Sequence, residues 1–170
     1  MRDTSVVYFS PHLDDAIFSC AGTICKQTEA GKSVWIVTLF SADGSSNGRA
    51  PEPATSRGTD SFTPHRQRIS EDMQAAEECG ARYLHLGFLD APFRNSAYKD
   101  LHNIFGEMHP HDTKTIEELR TSMDNVLKKY NATSAYFPLA IGSHIDHRLT
   151  FLAAQSLEFT GQKYFYEDRP

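Results

Sequence analysis

Two segments near the start of the chain, Ser5-Val6-Val7-Tyr8-Phe9-Ser10 and Ser33-Val34-Trp35-Ile36-Val37-Thr38-Leu39-Phe40, are almost unbroken runs of β-branched and aromatic residues. Without polar alternation they predict strands covered on both faces, as in a parallel sheet. Between them Ile17, Cys20, Ala21, Ile24 and Cys25 recur at helical spacing, and Gly31 follows as a C-terminal cap. Strand, helix, strand makes a βαβ unit with an expected right-handed crossover. A second helix is predicted over 64–79, with Pro64 in its first turn and Gly80 at its end. A short third strand is expected over 83–87, then an irregular stretch over 91–112. The stripe Ile116, Leu119, Met123, Val126 and Leu127 predicts an amphipathic helix over 113–130, with Thr115 and Glu118 resembling a capping box one turn in. A fourth strand over 135–139, held to a strand end by Pro138, a helix over 147–159 and a last strand over 163–166 complete the pattern.

Alternating strands and helices predict an α/β fold. The expected form is Rossmann-like and doubly wound, a mostly parallel sheet of about five strands in the order 3-2-1-4-5 with helices on both faces. Such sheets bind ligands beyond the carboxyl ends of their strands, where the winding reverses. Here that crevice lies between strands one and four. At 170 residues the chain fits a single domain, 1–170, with enough buried surface to fold without a disulfide or structural metal. Its net charge is −5, from 17 Lys+Arg and 22 Asp+Glu, with no basic run, which argues against nucleic acid as a partner. No apolar stretch approaches the ~20 residues of a membrane span. The start of the chain does not read as a secretory signal, and three irregularly spaced cysteines suit a reducing, cytoplasmic home. Residues 42–63, rich in Gly, Ser and Pro, form a long loop on the expected ligand-binding rim. They read either as a tolerated surface insertion or as a lid.

The chemistry sits at the ends of strands one and four. Pro11-His12-Leu13-Asp14-Asp15 follows the first, and Gly142-Ser143-His144-Ile145-Asp146-His147 the second. The expected fold puts these loops side by side. Two imidazoles and a carboxylate with a fourth position open form a catalytic zinc arrangement. His12 and Asp15 stand three residues apart at a helix start, so both can face one point, and His144 and His147 share that spacing. Of two adjacent carboxylates, one can bind the metal and the other serve as general base. A remaining histidine can steady negative charge or protonate a leaving amine. Each motif alone has a plainer reading: Asp14-Asp15 as helix capping, His-x-x-His as a surface pair. The cluster His109-Pro110-His111-Asp112 lacks a matching partner and reads as a solvated turn.

Taken together, Pro11-His12-Leu13-Asp14-Asp15-Ala16 and Gly142-Ser143-His144-Ile145-Asp146-His147 resemble the motifs of the zinc-dependent de-N-acetylases typified by N-acetylglucosaminyl-phosphatidylinositol deacetylase (PIG-L/LmbE-like). Arg68-Ile69-Ser70-Glu71, then Ala75 and Gly80, resembles a third motif between them, and Asp90 follows the third strand where the family often has an acid. The resemblance implies His12, Asp15 and His147 as metal ligands, for Zn2+ or else Fe2+ or another divalent ion. It implies Asp14 as the base acting on metal-bound water, and His144 as the group that stabilises the oxyanion or protonates the amine. Asp146 would orient His144, and Arg68 and Asp90 would bind the substrate. Leu13 and Ala16 depart from the family's common proline and glutamate, and Ala16 bears on substrate choice.

The implied activity is removal of an N-acetyl, or similar N-acyl, group from an amino sugar or sugar conjugate. Two alternatives stay open at this level: a metal hydrolase for another amide or an ester, and a non-catalytic domain that binds a sugar or a partner. Family members usually continue past the fifth strand. On that comparison the chain is a C-terminally shortened member or lacks residues, and its cleft stands open or is walled by a second copy in a homo-oligomer.

Overall fold

A computed structural model of the protein describes residues 4–42 and 65–168. In chain order it comprises β1 (Ser5–Ser10), α1 (Asp15–Glu29), β2 (Ser33–Ala42), α2 (His65–Glu78), β3 (Arg82–Leu89), α3 (Ala91–Arg94), a 3₁₀ turn (Ser96–Lys99), α4 (Leu101–Ile104), α5 (Asp112–Lys129), β4 (Ala132–Pro138), α6 (Ile145–Gln155) and β5 (Gln162–Tyr166). The loop expected over 42–63 lies outside the described residues except for Ala42, which closes β2.

All strand pairs are parallel, and the order is β3-β2-β1-β4-β5. The central strand β1 is buried at every residue, which is why its sequence shows no alternation. Its side chains nevertheless divide between two cores. Val7 and Phe9 join Val37 and Leu39 against α5 and α6, through Leu119, Met123 and Leu149. Val6 and Tyr8 join Val34 and Ile36 against α1 and α2, through Ala16, Ile24 and Ala76. This is the period of two of a strand, read out on two faces. Aromatic columns cross three strands on each side. Tyr8, Tyr136 and Tyr164 stack with ring centroids 4.2 and 4.7 Å apart. Phe9, Phe137 and Phe165 follow at 5.2 and 5.8 Å. Among the described residues no helix is long and apolar enough to cross a membrane.

Three local expectations change. The stretch 91–112 contains three short turns, two of them started by side-chain caps: Asn95 accepts the Ala97 N–H, and Asp100 the His102 N–H. Helix α5 begins at Asp112, so Thr115 lies buried within its first turn and forms no capping box. Helix α6 begins at Ile145, two residues before the expected start, because the His144 ring caps it by accepting the Asp146 N–H. His147 is thus the third residue of the helix rather than the first.

Candidate active site

The turn after β1 is held from several sides. The Phe40 N–H donates to the Pro11 carbonyl at 2.9 Å. The Ser10 hydroxyl donates to the His12 carbonyl at 2.7 Å and accepts the Ala16 N–H at 3.0 Å. Between these points Asp14 takes a left-handed conformation, φ 79°, which costs a residue with a Cβ about 1–2 kcal/mol. Its N–H donates to Asp72 Oδ1 at 2.9 Å. Asp72 is 1% exposed on α2 and also accepts from Thr38 Oγ1 at 3.2 Å and pairs with His85 Nε2 at 2.7 Å. The loop after β4 is strained in a similar way, with Ala140 and Ser143 at positive φ.

These two turns bring three donor atoms together. His12 Nδ1 and Asp15 Oδ2 lie 3.5 Å apart, Asp15 Oδ2 and His147 Nε2 3.2 Å, and His147 Nε2 and His12 Nδ1 3.3 Å. Ligands about 2.0–2.1 Å from a tetrahedral cation are separated by about 3.3–3.4 Å. The triangle therefore fits a divalent cation in size, and two imidazoles with one carboxylate fit it in chemistry. His144 stands beside it, its ring centroid 4.8 Å from that of His12 and 5.3 Å from that of His147. A second grouping, His12, Asp90 and Asp146, lies on the other edge of the His12 ring. It is less suited to a cation, because its carboxylates are already engaged or face an N–H. Asp146 Oδ2 accepts from His12 Nε2 and from the Ala91 N–H, each at 3.0 Å. Asp146 Oδ1 pairs with Arg94 Nη2 at 2.7 Å, as an ion pair without an aligned N–H.

Residues 7–157 match the PIG-L family, GlcNAc-PI de-N-acetylase. The chain belongs to this family. It is 28% identical to 2'-N-acetylparomamine deacetylase of Niallia circulans over 96% of its own length and 66% of that protein's. Among solved structures it resembles the A40926 pseudoaglycone deacetylase with a TM-score of 0.74 and 26% identity, covering 99% of this chain and 65% of that one. The zinc-inhibited form of a teicoplanin deacetylase shares its fold, with a TM-score of 0.79 at 23% identity, over 98% of this chain and 68% of that one. The chain thus spans about two thirds of the length of these relatives.

The electrostatics of this PIG-L family site separate its carboxylates. Burial opposes charge on His12, but Asp90, Asp146 and Asp15 together hold its imidazole well above the usual histidine range. Burial likewise opposes ionisation of Asp15, yet its contacts with His12 and His147 keep it well below the carboxylate range. Asp14 moves the other way: burial, then the neighbouring Asp72, push it up to about 6 against the pull of Arg68. Among the described residues no hydrogen bond engages the Asp14 carboxylate. Burial and the nearby His12 push His144 down to about 3, so it is neutral, and since its Nδ1 accepts the Asp146 N–H its proton sits on Nε2. Burial raises Asp90, whose Oδ1 is enclosed, without a hydrogen-bond partner among the described residues, and 3.6 Å from His12 Nε2. Arg68, half-buried on α2, opposes the rise of both Asp14 and Asp90.

One expected contact differs. The Asp146 carboxylate engages His12, Ala91 and Arg94, and only its backbone N–H meets His144. Helix α6 directs the side chain of its second residue inward under the His12 ring. Four participants escaped the sequence reading: Asp72, Arg94, Asp112 and Asp168. Asp112 belongs to the supposed solvated turn but is 2% exposed, accepts from Tyr98 Oη and from the His109 N–H, and faces Arg94 Nε at 3.4 Å. The only advance signal was at Asp72, an acid interrupting the apolar stripe of Ile69 and Ala76 on α2. At the opposite end of the sheet lies a polar groove lined by Thr28, Lys32, Arg82 and Thr133, without an acid or histidine in its walls among the described residues.

Proposed function

We propose that the protein is a metal-dependent N-deacetylase that hydrolyses the N-acetyl, or a similar N-acyl, group of an amino sugar or sugar conjugate. The observation that carries this reading is the pairing of a cation-sized donor triangle with an adjacent carboxylate left out of it, Asp14. A divalent ion held by His12, Asp15 and His147, zinc by donor type though iron(II) suits the same set, supplies Lewis acidity to the amide carbonyl and to water. Asp14, the carboxylate outside the triangle, accepts the proton of the attacking water. His144 donates its Nε2–H to the oxyanion that develops on the carbonyl oxygen. Being neutral, it is better suited to this than to protonating the amine. Asp14 then returns the proton to the amide nitrogen, the C–N bond breaks, and acetate and a free amine result. Asp146 fixes the His12 ring.

Asp90 and Arg68 fit the binding of sugar hydroxyls, the first because its side chain stays 28% exposed beside His12. Phe105 is 45% exposed with its ring 5.6 Å from that of His144, and Ile141 is 46% exposed on the loop before it. This apolar rim suits a conjugate better than a bare sugar. The relatives that act on N-acetylparomamine and on a pseudoaglycone by their names favour the same substrate class.

The test is release of primary amine, read with fluorescamine, and of acetate from a panel of N-acetylated sugars and conjugates, with and without a chelator. Amine release that stops on chelation and returns with zinc or iron(II) is expected. A protein that binds neither metal and releases no amine would be a binding domain. Turnover confined to generic esters would point to a different hydrolase.

A further inference from the structure

We propose that Asp168 fixes His147 in the tautomer that a metal ligand requires, so that the chain leaving the edge strand β5 is part of the metal centre. The inference rests on the reading that His12, Asp15 and His147 hold a cation. Asp168 lies two residues past the end of β5 and is fully buried. Its Oδ2 is hydrogen-bonded to His147 Nδ1, and its Oδ1 accepts the Ile141 N–H at 3.3 Å. An ionised carboxylate only accepts hydrogen bonds, so the imidazole proton must sit on Nδ1. That leaves the lone pair on Nε2, the atom 3.2 Å from Asp15 Oδ2 and 3.3 Å from His12 Nδ1.

The same arrangement occurs twice. His12 directs Nδ1 into the triangle and Nε2 at the fully buried Asp146, while His147 directs Nε2 into the triangle and Nδ1 at Asp168. A carboxylate behind each ring orients it and makes it a better donor. A purely structural role, tying the Ile141 loop to β5, needs only a neutral acceptor. A fully buried carboxylate is costly unless a matched donor faces it, and among the described residues its ion-pair partner is His147.

The experiment compares zinc affinity, by competition with a chromophoric chelator, in the wild-type protein and in Asp168→Asn. The asparagine can still accept the Ile141 N–H, but its amide can offer a donor to Nδ1 and drive the proton to Nε2. We expect zinc affinity to fall roughly 10–100-fold. In parallel, long-range ¹H–¹⁵N spectra of the zinc-loaded wild type read the His147 tautomer directly, so the proposal stays testable if the variant does not fold. A proton on Nδ1 is expected. Undiminished zinc binding by a folded Asp168→Asn, or a proton on Nε2 in the wild type, overturns the role of Asp168 while leaving the deacetylase reading intact. A wild type that binds no divalent ion defeats both.

Discussion

Replacing Arg94 with methionine should destabilise the protein by about 3 kcal/mol, the lower end of the range for removing one partner from a buried ion pair. The guanidinium bridges two enclosed carboxylates, with Nη2 2.7 Å from Asp146 and Nε 3.4 Å from Asp112, and Nη1 donates to the Leu89 carbonyl at 2.9 Å. Its carbon lies 5.0 Å from the Phe40 ring and 5.9 Å from the Tyr98 ring, and the side chain is 14% exposed. Asp146 and Asp112 are essentially without solvent, so the lost charge is poorly replaced by water. The figure stays at the lower end because each acid keeps two donors: His12 and Ala91 for Asp146, Tyr98 and His109 for Asp112. For a chain of this size the loss amounts to about 6–12 °C in melting temperature. Urea unfolding of the metal-free protein measures it without a contribution from metal binding. The single tryptophan, Trp35, stacked 3.9 Å from Tyr130, is the reporter. Adding Asp112→Asn to the Arg94→Met protein should cost less than Asp112→Asn alone, since the carboxylate has then lost its counter-charge. A loss below about 1 kcal/mol, the range of exposed pairs, would refute the claim that Arg94 holds the two buried acids together.

Other outcomes follow from the same geometry. His144→Ala should keep its metal yet turn over roughly 10²–10³-fold more slowly, as for loss of an oxyanion donor, and metal analysis beside amine release checks both halves. Asp14→Asn should lose roughly 10²–10⁴ in kcat, and near-normal turnover in that variant removes Asp14 as the base. The Asp72 charge raises the Asp14 pKa, so Asp72→Asn, which can still accept the Asp14 N–H, should move the acid limb of the pH–rate profile to lower pH. A limb that moved upward or stayed in place would show that Asp14 does not set it. Gly161→Ala would put a Cβ 2.3 Å from the Phe159 ring and 2.6 Å from the Thr133 carbonyl oxygen. We expect a loss of about 1–3 kcal/mol by thermal denaturation, and an unchanged melting point contradicts the packing described for that turn.

The sheet was readable from the sequence because burial on both faces leaves an uninterrupted apolar record, as in β1 and β2. The positions of the two loops followed from strand order, while the choice of His12, Asp15 and His147 among their acids and histidines came from the resemblance to the de-N-acetylase motifs. Hidden from the sequence were the polar groups behind those loops. Asp168 and Arg94 sit in local contexts, Tyr-Glu-Asp-Arg and Pro-Phe-Arg-Asn, that look the same whether a side chain faces solvent or core. Their burial depends on where β5 and α3 dock, a tertiary fact without a local periodicity. The side-chain contact expected of Asp146 differs for a related reason. Its direction is set by the helix start at Ile145, and that start is created by the His144 cap rather than by an apolar pattern.

The aromatic columns across β1, β4 and β5 also act as a ruler. Slipping β5 by one residue would exchange Tyr164 and Phe165 between the faces of the sheet and break both stacks at once. With that slip penalised, the length of chain from the last ring to Asp168 is metered, and a carboxylate from the outermost strand arrives at His147 in register.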